Sequence, residues 1–246
     1  MTKNPVHFLA PYPLFGTKQK PLSISYQQRS PFYWWWAYLR RNDNYLKCCE
    51  RNGAGKLADL YKEFGDVRED DFKKWWSENN RGAYLFGEKR SALVPKELSD
   101  KSEWEEDWNS ENVLVLALPL TMSKRELQSR IAKILKKRHT AKRGRTAKKL
   151  DKSTARFPLN RNYTIESLQK ALDVYDCFTK LVELNGKAKL WEVGVELRLV
   201  RGAMPSPNDL KQDTAAKRNV MAATVKRYLK QAESIIANTS LGIFPS

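Results

Sequence analysis

Histidine and cysteine are scarce in this chain of 246 residues, which has two histidines, His7 and His139, and three cysteines, Cys48, Cys49 and Cys177. So few imidazoles leave little material for histidine-based proton transfer or metal binding. One adjacent cysteine pair and one distant thiol make no disulfide framework, which points to free thiols in a reducing cytoplasm. HExxH, repeated CxxC and zinc-finger spacings are all missing. So is the GxxxxGK[ST] phosphate loop. RNGAGK at 51–56 has glycines and a lysine, but its spacing is wrong and no strand precedes it, so it reads as a helix-ending turn. Long apolar runs are absent as well. Val113–Leu120, the longest, is far shorter than the ~20 residues that cross a bilayer. The first residues carry one lysine and then prolines and aromatics, so no signal peptide is read. No cofactor is implied.

What the chain has in excess is positive charge. It carries 45 Lys and Arg against 28 Asp and Glu, a formal net charge of +17. The excess is concentrated. Residues 1–90 hold 16 basic and 10 acidic side chains, and residues 91–118 hold 2 and 7. Residues 119–161 hold 15 and 2, and residues 162–246 hold 12 and 9. A block as dense as 119–161 suggests one face or loop made for a polyanion. Nucleic acid is favoured over an anionic membrane surface, because no neighbouring segment is apolar enough to anchor in lipid.

The pattern along the chain predicts a mainly α fold with a minor β contribution, built as two small helical modules. A helix-turn-helix-like form is one option, although no turn signature fixes a recognition helix. Residues 1–29, with four prolines, read as an extended aromatic arm. Residues 30–94 read as an aromatic-rich helical module. Ser30-Pro31 opens a helix running to about Glu50, with aromatics around too much of its circumference for one buried stripe. A second helix stops at Gly65. Asp66 and Glu69 have capping-box spacing before a third that includes Phe72, Trp75 and Trp76. Core packing is the favoured role for these tryptophans, Trp35 and Trp75 among them. Cys48 and Cys49 read as one inward and one outward thiol. Residues 95–111 form an acidic connector bearing two tryptophans.

Residues 112–246 read as a basic, α-rich nucleic-acid-binding module. VLVLALPL at 113–120 has the composition of a buried strand. Ser123 and Glu126 cap a helix whose Leu127, Ile131, Ile134 and Leu135 mark one face, with Arg130, Lys133 and Lys137 on the other. The apolar period ends after Arg138, and a mobile arm near 136–156 is expected. Thr164 caps the next helix, which Asn185-Gly186 stops. LWEVGVELRLV suits a helix or a strand, with helix preferred. A last long helix begins after Gln212 and reaches Ala237, burying Met221, Val225, Tyr228, Leu229, Ala232 and Ile236. The following SLGIFPS folds back through Leu241, Ile243 and Phe244.

The residues assigned to a nucleic-acid site are Arg130, Lys133, Lys136, Lys137, Arg138, Lys142, Arg143, Arg145, Lys148 and Lys149. Lysine and arginine in this density neutralise phosphates and release condensed counterions. DNA is favoured over RNA. Two alternatives stand beside this reading. One is a scaffold that presents residues 30–94 to a protein partner. The other is a metal-dependent nuclease using Asp66, Glu69, Asp70 and Asp71, or Glu103, Glu105, Glu106 and Asp107, although neither cluster has a specific motif. YWWWAYLRRNDNYLKCCE, with FGDV and DFKKWW after it, resembles the opening of small uncharacterised proteins of bacterial integrative elements and prophages. VLVLALPLTMSKREL and AESIIANTSLGIFP share that likeness, which covers about 70 residues. It implies a mobile-element, DNA-associated accessory protein and assigns no catalytic residue. The expectation is therefore a non-enzymatic, cytoplasmic and nucleoid-associated protein: a regulator, a recombination accessory or a nucleoprotein subunit, with no membrane partner.

Overall fold

Ser30 and Pro31 begin the helix around which the fold is organised. The computed structural model describes residues 7–88, 97–100, 103–104, 113–138, 153–160 and 163–245. After a single turn, α1 (Ile24–Gln27), comes α2 (Pro31–Leu39). Ser30 Oγ accepts the Phe32 N–H at 3.3 Å, and proline at the first helical position has no N–H to lose. All nine residues of α2 are buried, so it is a central rod and not a one-sided surface helix.

The expected helix to Glu50 is interrupted. Asn42 is extended, and its Oδ1 accepts the Tyr45 N–H at 3.0 Å, starting α3 (Asp43–Glu50) as a separate element. Helix α4 (Ala58–Phe64) ends at Gly65 as expected. The cap of α5 (Phe72–Ser77) is Asp71, whose Oδ1 accepts the Lys74 N–H at 2.9 Å, not the Asp66–Glu69 pair. Asn79 and Asn80 then take positive φ, which a short amide side chain tolerates, and turn the chain into α6 (Arg81–Phe86).

Helix α7 (Lys124–Arg138) belongs to the smaller of two units. Residues Arg90–Lys149, with Met1–Pro5, form one compact unit, and Val6–Lys89 with Leu150–Ser246 form the other. In the larger unit, β1 (Leu159–Asn160) leads to α8 (Ile165–Asn185). Thr164 Oγ1 caps α8 by accepting the Ser167 N–H at 3.1 Å, and Gly186 at φ +70° ends it. Then follow α9 (Leu190–Glu196), a 3-10 turn at Arg201–Ala203, α10 (Lys211–Thr239) and β2 (Phe244–Pro245). Strands β1 and β2 pair in parallel, with Leu159 opposite Phe244. The protein is thus mainly helical with a minor strand contribution.

The division expected near 95–111 is not the one the packing makes. Trp35, Phe64 and Phe86 share a core with Leu168, Ala171, Ala232, Ile235 and Phe244. Trp35 stacks on Phe244 with centroids 5.2 Å apart. Tyr38 Oη donates to Leu168 O at 2.8 Å, and Asn42 Nδ2 donates to Ile236 O at 2.8 Å. Arg41 grips Asp176 through two hydrogen bonds of 2.9 and 2.6 Å. Helices α8 and α10 therefore complete the core of the aromatic module. A smaller cluster of Val174, Val193, Val225 and Leu229 continues between α8, α9 and α10.

Glu88 ties the larger unit together where the chain leaves it and returns. It is 7% exposed. Its backbone N–H donates to His7 O at 2.7 Å. Its carboxylate accepts from Ser153 Oγ and Thr154 N, each at 2.6 Å.

Two further expectations need correction. Residues 113–120 are not a strand: no ladder forms there, and Leu114, Val115, Leu118 and Leu120 are exposed, Leu120 at 90%. A two-sided apolar run becomes a buried strand only when neighbours pair with it, and among the described residues none does. The chain after α10 does fold back through buried Phe244, but Leu241 and Ile243 are exposed.

Candidate nucleic-acid interface

Helix α7 forms where the sequence predicts it. Ser123 Oγ accepts the Glu126 N–H at 3.3 Å and so satisfies one of the open amides of the first turn. Glu126 lies in the first turn and Lys136, Lys137 and Arg138 in the last, as the helix dipole favours. At 100° per residue, Arg130, Lys133 and Lys137 cluster on one flank of the helix, beside and not opposite the stripe of Leu127, Ile131, Ile134 and Leu135.

This apolar face buries nothing fully. Leu127 and Ile131 are half-buried, while Ile134 and Leu135 are 38% and 40% exposed. The expected anchoring of α7 in a core is therefore not met among the described residues. The cations are all exposed: Arg130, Lys133, Lys136, Lys137 and Arg138. One carboxylate lies among them, and Arg130 takes it in an i,i+4 ion pair with Glu126 at 2.9 Å. The sequence assignment also omitted exposed Lys124 and Arg125, whose signal was their place in the first turn of the same helix. Lys142, Arg143, Arg145, Lys148 and Lys149 lie outside the described residues; of the arm expected near 136–156, residues 136–138 belong instead to α7, and Ser153 and Thr154 are held by Glu88.

The acids at 66–71 are committed locally. Arg68 donates to Asp66 at 2.6 Å, and its hydrogen bonds hold that carboxyl below the ordinary aspartate range. Lys74 pairs with Glu69 at 2.6 Å, Arg40 pairs with Asp70, and Asp71 caps α5. Of the second acidic cluster only Glu103 is described. Among the described residues no group of three or more His, Cys, Asp or Glu side chains is placed to hold a metal ion.

The tryptophans at 34–36, 75 and 76 are all buried, at 0–4% exposure. None can offer its face to a base or a partner without local opening. Cys48 and Cys49 are both buried, which corrects the expectation of one outward thiol. Among the described residues no helix is long and apolar enough to cross a membrane. Compared with known proteins, the chain matches no family model, no curated protein and no solved structure.

Proposed function

We propose that the protein is a non-enzymatic nucleic-acid-binding protein that engages the phosphate backbone through α7 and the basic residues following it. The observation that carries this reading is the exposed cation surface of α7. Five of the assigned residues lie on it, one acid neutralises part of it, and none of the helix's own residues is buried among the described residues. A helix presenting Arg130, Lys133 and Lys137 on one side tracks phosphates and releases their counterions. Base-edge readout is not required, nor is a helix-turn-helix. DNA is the preferred partner and the cytoplasm, on the nucleoid, the place of action. The roles that fit are regulator, recombination accessory or nucleoprotein subunit of a bacterial mobile element, in line with the sequence resemblance.

Replacing Lys133, Lys136 and Lys137 together with Gln tests it. Each lost phosphate contact lowers the slope of log affinity against log salt by about 0.9 on duplex DNA and about 0.7 on a single strand. The triple variant should therefore lose roughly 2–3 units of slope on a duplex while its circular dichroism is unchanged. Fluorescence anisotropy over a salt series measures this with duplex DNA, single-stranded DNA and RNA. A folded variant with wild-type affinity and slope removes α7 from the interface. A wild type that binds none of the three at low salt overturns the function.

A further inference from the structure

We propose that the cavity between α9, the Arg201–Ala203 turn and the first half of α10 binds a small aromatic carboxylate. The cavity lies wholly in the larger unit and does not depend on α7.

Its shape begins with Gly194. A Cβ there would meet Met221 Cγ at 2.2 Å, so only glycine lets α9 lie this close to α10. Met221, fully buried, becomes part of the lining. Trp191 and Val195 from α9, with Ala203 and Pro205 from the turn and the loop after it, help enclose about 220 Å³. That volume suits one ring with a short side chain. These walls offer water few partners, so ordered water is a poor occupant.

Polarity is confined to the α10 side. Lys217 Nζ is held by Asp209 Oδ1 at 2.5 Å, and Asp209 Oδ2 also accepts the Ser206 N–H at 2.8 Å. The Thr214 hydroxyl is already donated to Leu210 O at 3.1 Å. Arg218 is different. Its guanidinium carbon lies 4.5 Å from the Trp191 ring centroid, and among the described residues it has no carboxylate partner. A guanidinium stacked on an indole spends its face and keeps its N–H edge, which suits a carboxylate. Apolar walls beside a cation that has no carboxylate partner among the described residues therefore select a ring carrying a single negative group. A nucleobase fits less well, since its several edge atoms would be left without partners.

The test titrates the full chain with 3-phenylpropionate and, separately, with its neutral amide, by calorimetry. The wild type should bind the acid with a dissociation constant of about 0.1–1 mM, in keeping with so small a ligand. The amide should bind roughly tenfold more weakly, because charge-assisted hydrogen bonds are the stronger ones. Acetate, which has the charge without the ring, should not compete. Arg218→Gln alters an exposed side chain and should bind acid and amide alike. Ala203→Leu, if folded, should bind neither. Overturning results are equal affinity of acid and amide in the wild type, wild-type discrimination in Arg218→Gln, competition by acetate, normal binding by folded Ala203→Leu, or no binding of the acid at 10 mM, about ten times the weakest affinity expected. Should Ala203→Leu not fold, the acid–amide comparison in wild type and Arg218→Gln decides the matter.

Discussion

Trp35 and Trp75 are both buried yet differ at one atom. The Trp75 indole N–H donates to Phe64 O at 2.7 Å, whereas the buried Trp35 N–H has no partner among the described residues. Truncating either to Ala should cost about 3–5 kcal/mol, the usual price of a large core cavity. Phenylalanine separates them. Trp35→Phe removes an unsatisfied donor, a relief of roughly 1–3 kcal/mol that offsets part of the lost volume. Trp75→Phe gains no such relief and leaves the Phe64 carbonyl unpaired. Urea melts should therefore show Trp35→Phe as the milder change, and the reverse order would show that the Trp35 N–H is satisfied in solution. The thiols give a second prediction. Burial raises the pKa of both Cys49 and Cys177, so access sets the order: Cys49 and Cys48 are 0% and 4% exposed, and iodoacetamide on the native protein should modify half-buried Cys177 first. Peptide mapping by mass spectrometry at short labelling times reads the order. Residue type alone placed the tryptophans inside. It could not place Cys48, because the turn after α3 brings the Gly53 N–H back onto Cys48 O at 2.8 Å, and no periodicity announces that return.

Among the elements, those with a chemical start or stop were legible. Ser30, Ser123 and Thr164 each accept an early helical amide, and Gly65 and Gly186 close α4 and α8. The break between α2 and α3 was passed over: Asn42-Asp43-Asn44 is a weak helix-forming run with a good capping residue, set inside a longer apolar pattern. The Asn42 side chain does two things: Oδ1 caps α3, and Nδ2 reaches Ile236 O on α10. Asn42→Ala loses the cap and strands a buried carbonyl, together roughly 2–3 kcal/mol. Equilibrium unfolding should show that loss; a change under about 0.5 kcal/mol, the range of an ordinary surface substitution, would mean neither bond contributes. The misread strand at 113–120 has the opposite origin. Composition specified apolar residues, but a strand is a property of pairs, and the partner was never in the local sequence.

At the scale of the whole molecule, the sequence displayed the basic block but not its relation to the fold. Tyr38 and Leu168 are bonded across 130 positions, and contacts of that kind leave no trace in composition or period. Charge counts therefore suggested two modules in series, where the packing has one core interrupted between Lys89 and Leu150. Because Glu88 bonds directly to Ser153 and Thr154, the ends of the interruption are close together. Replacing residues 90–151 with a short Gly-Ser linker should leave a folded core with cooperative thermal unfolding, while salt-dependent nucleic-acid binding disappears. Calorimetry and anisotropy read the two halves of this prediction. An unfolded product would show that the core needs residues 90–151, and retained binding would move the interface into the larger unit.

The stacking of Phe244 on Trp35 has a consequence for biosynthesis. Helix α2 is made early, but α8, α10 and Phe244, which cover it, come roughly 130–210 residues later in the chain. At about 5–20 residues per second, the ribosome carries PFYWWWAYL for some tens of seconds before its cover has been translated. This core therefore closes only once Phe244 has been translated and not helix by helix, and the nascent chain is a natural client for chaperones that hold aromatic segments.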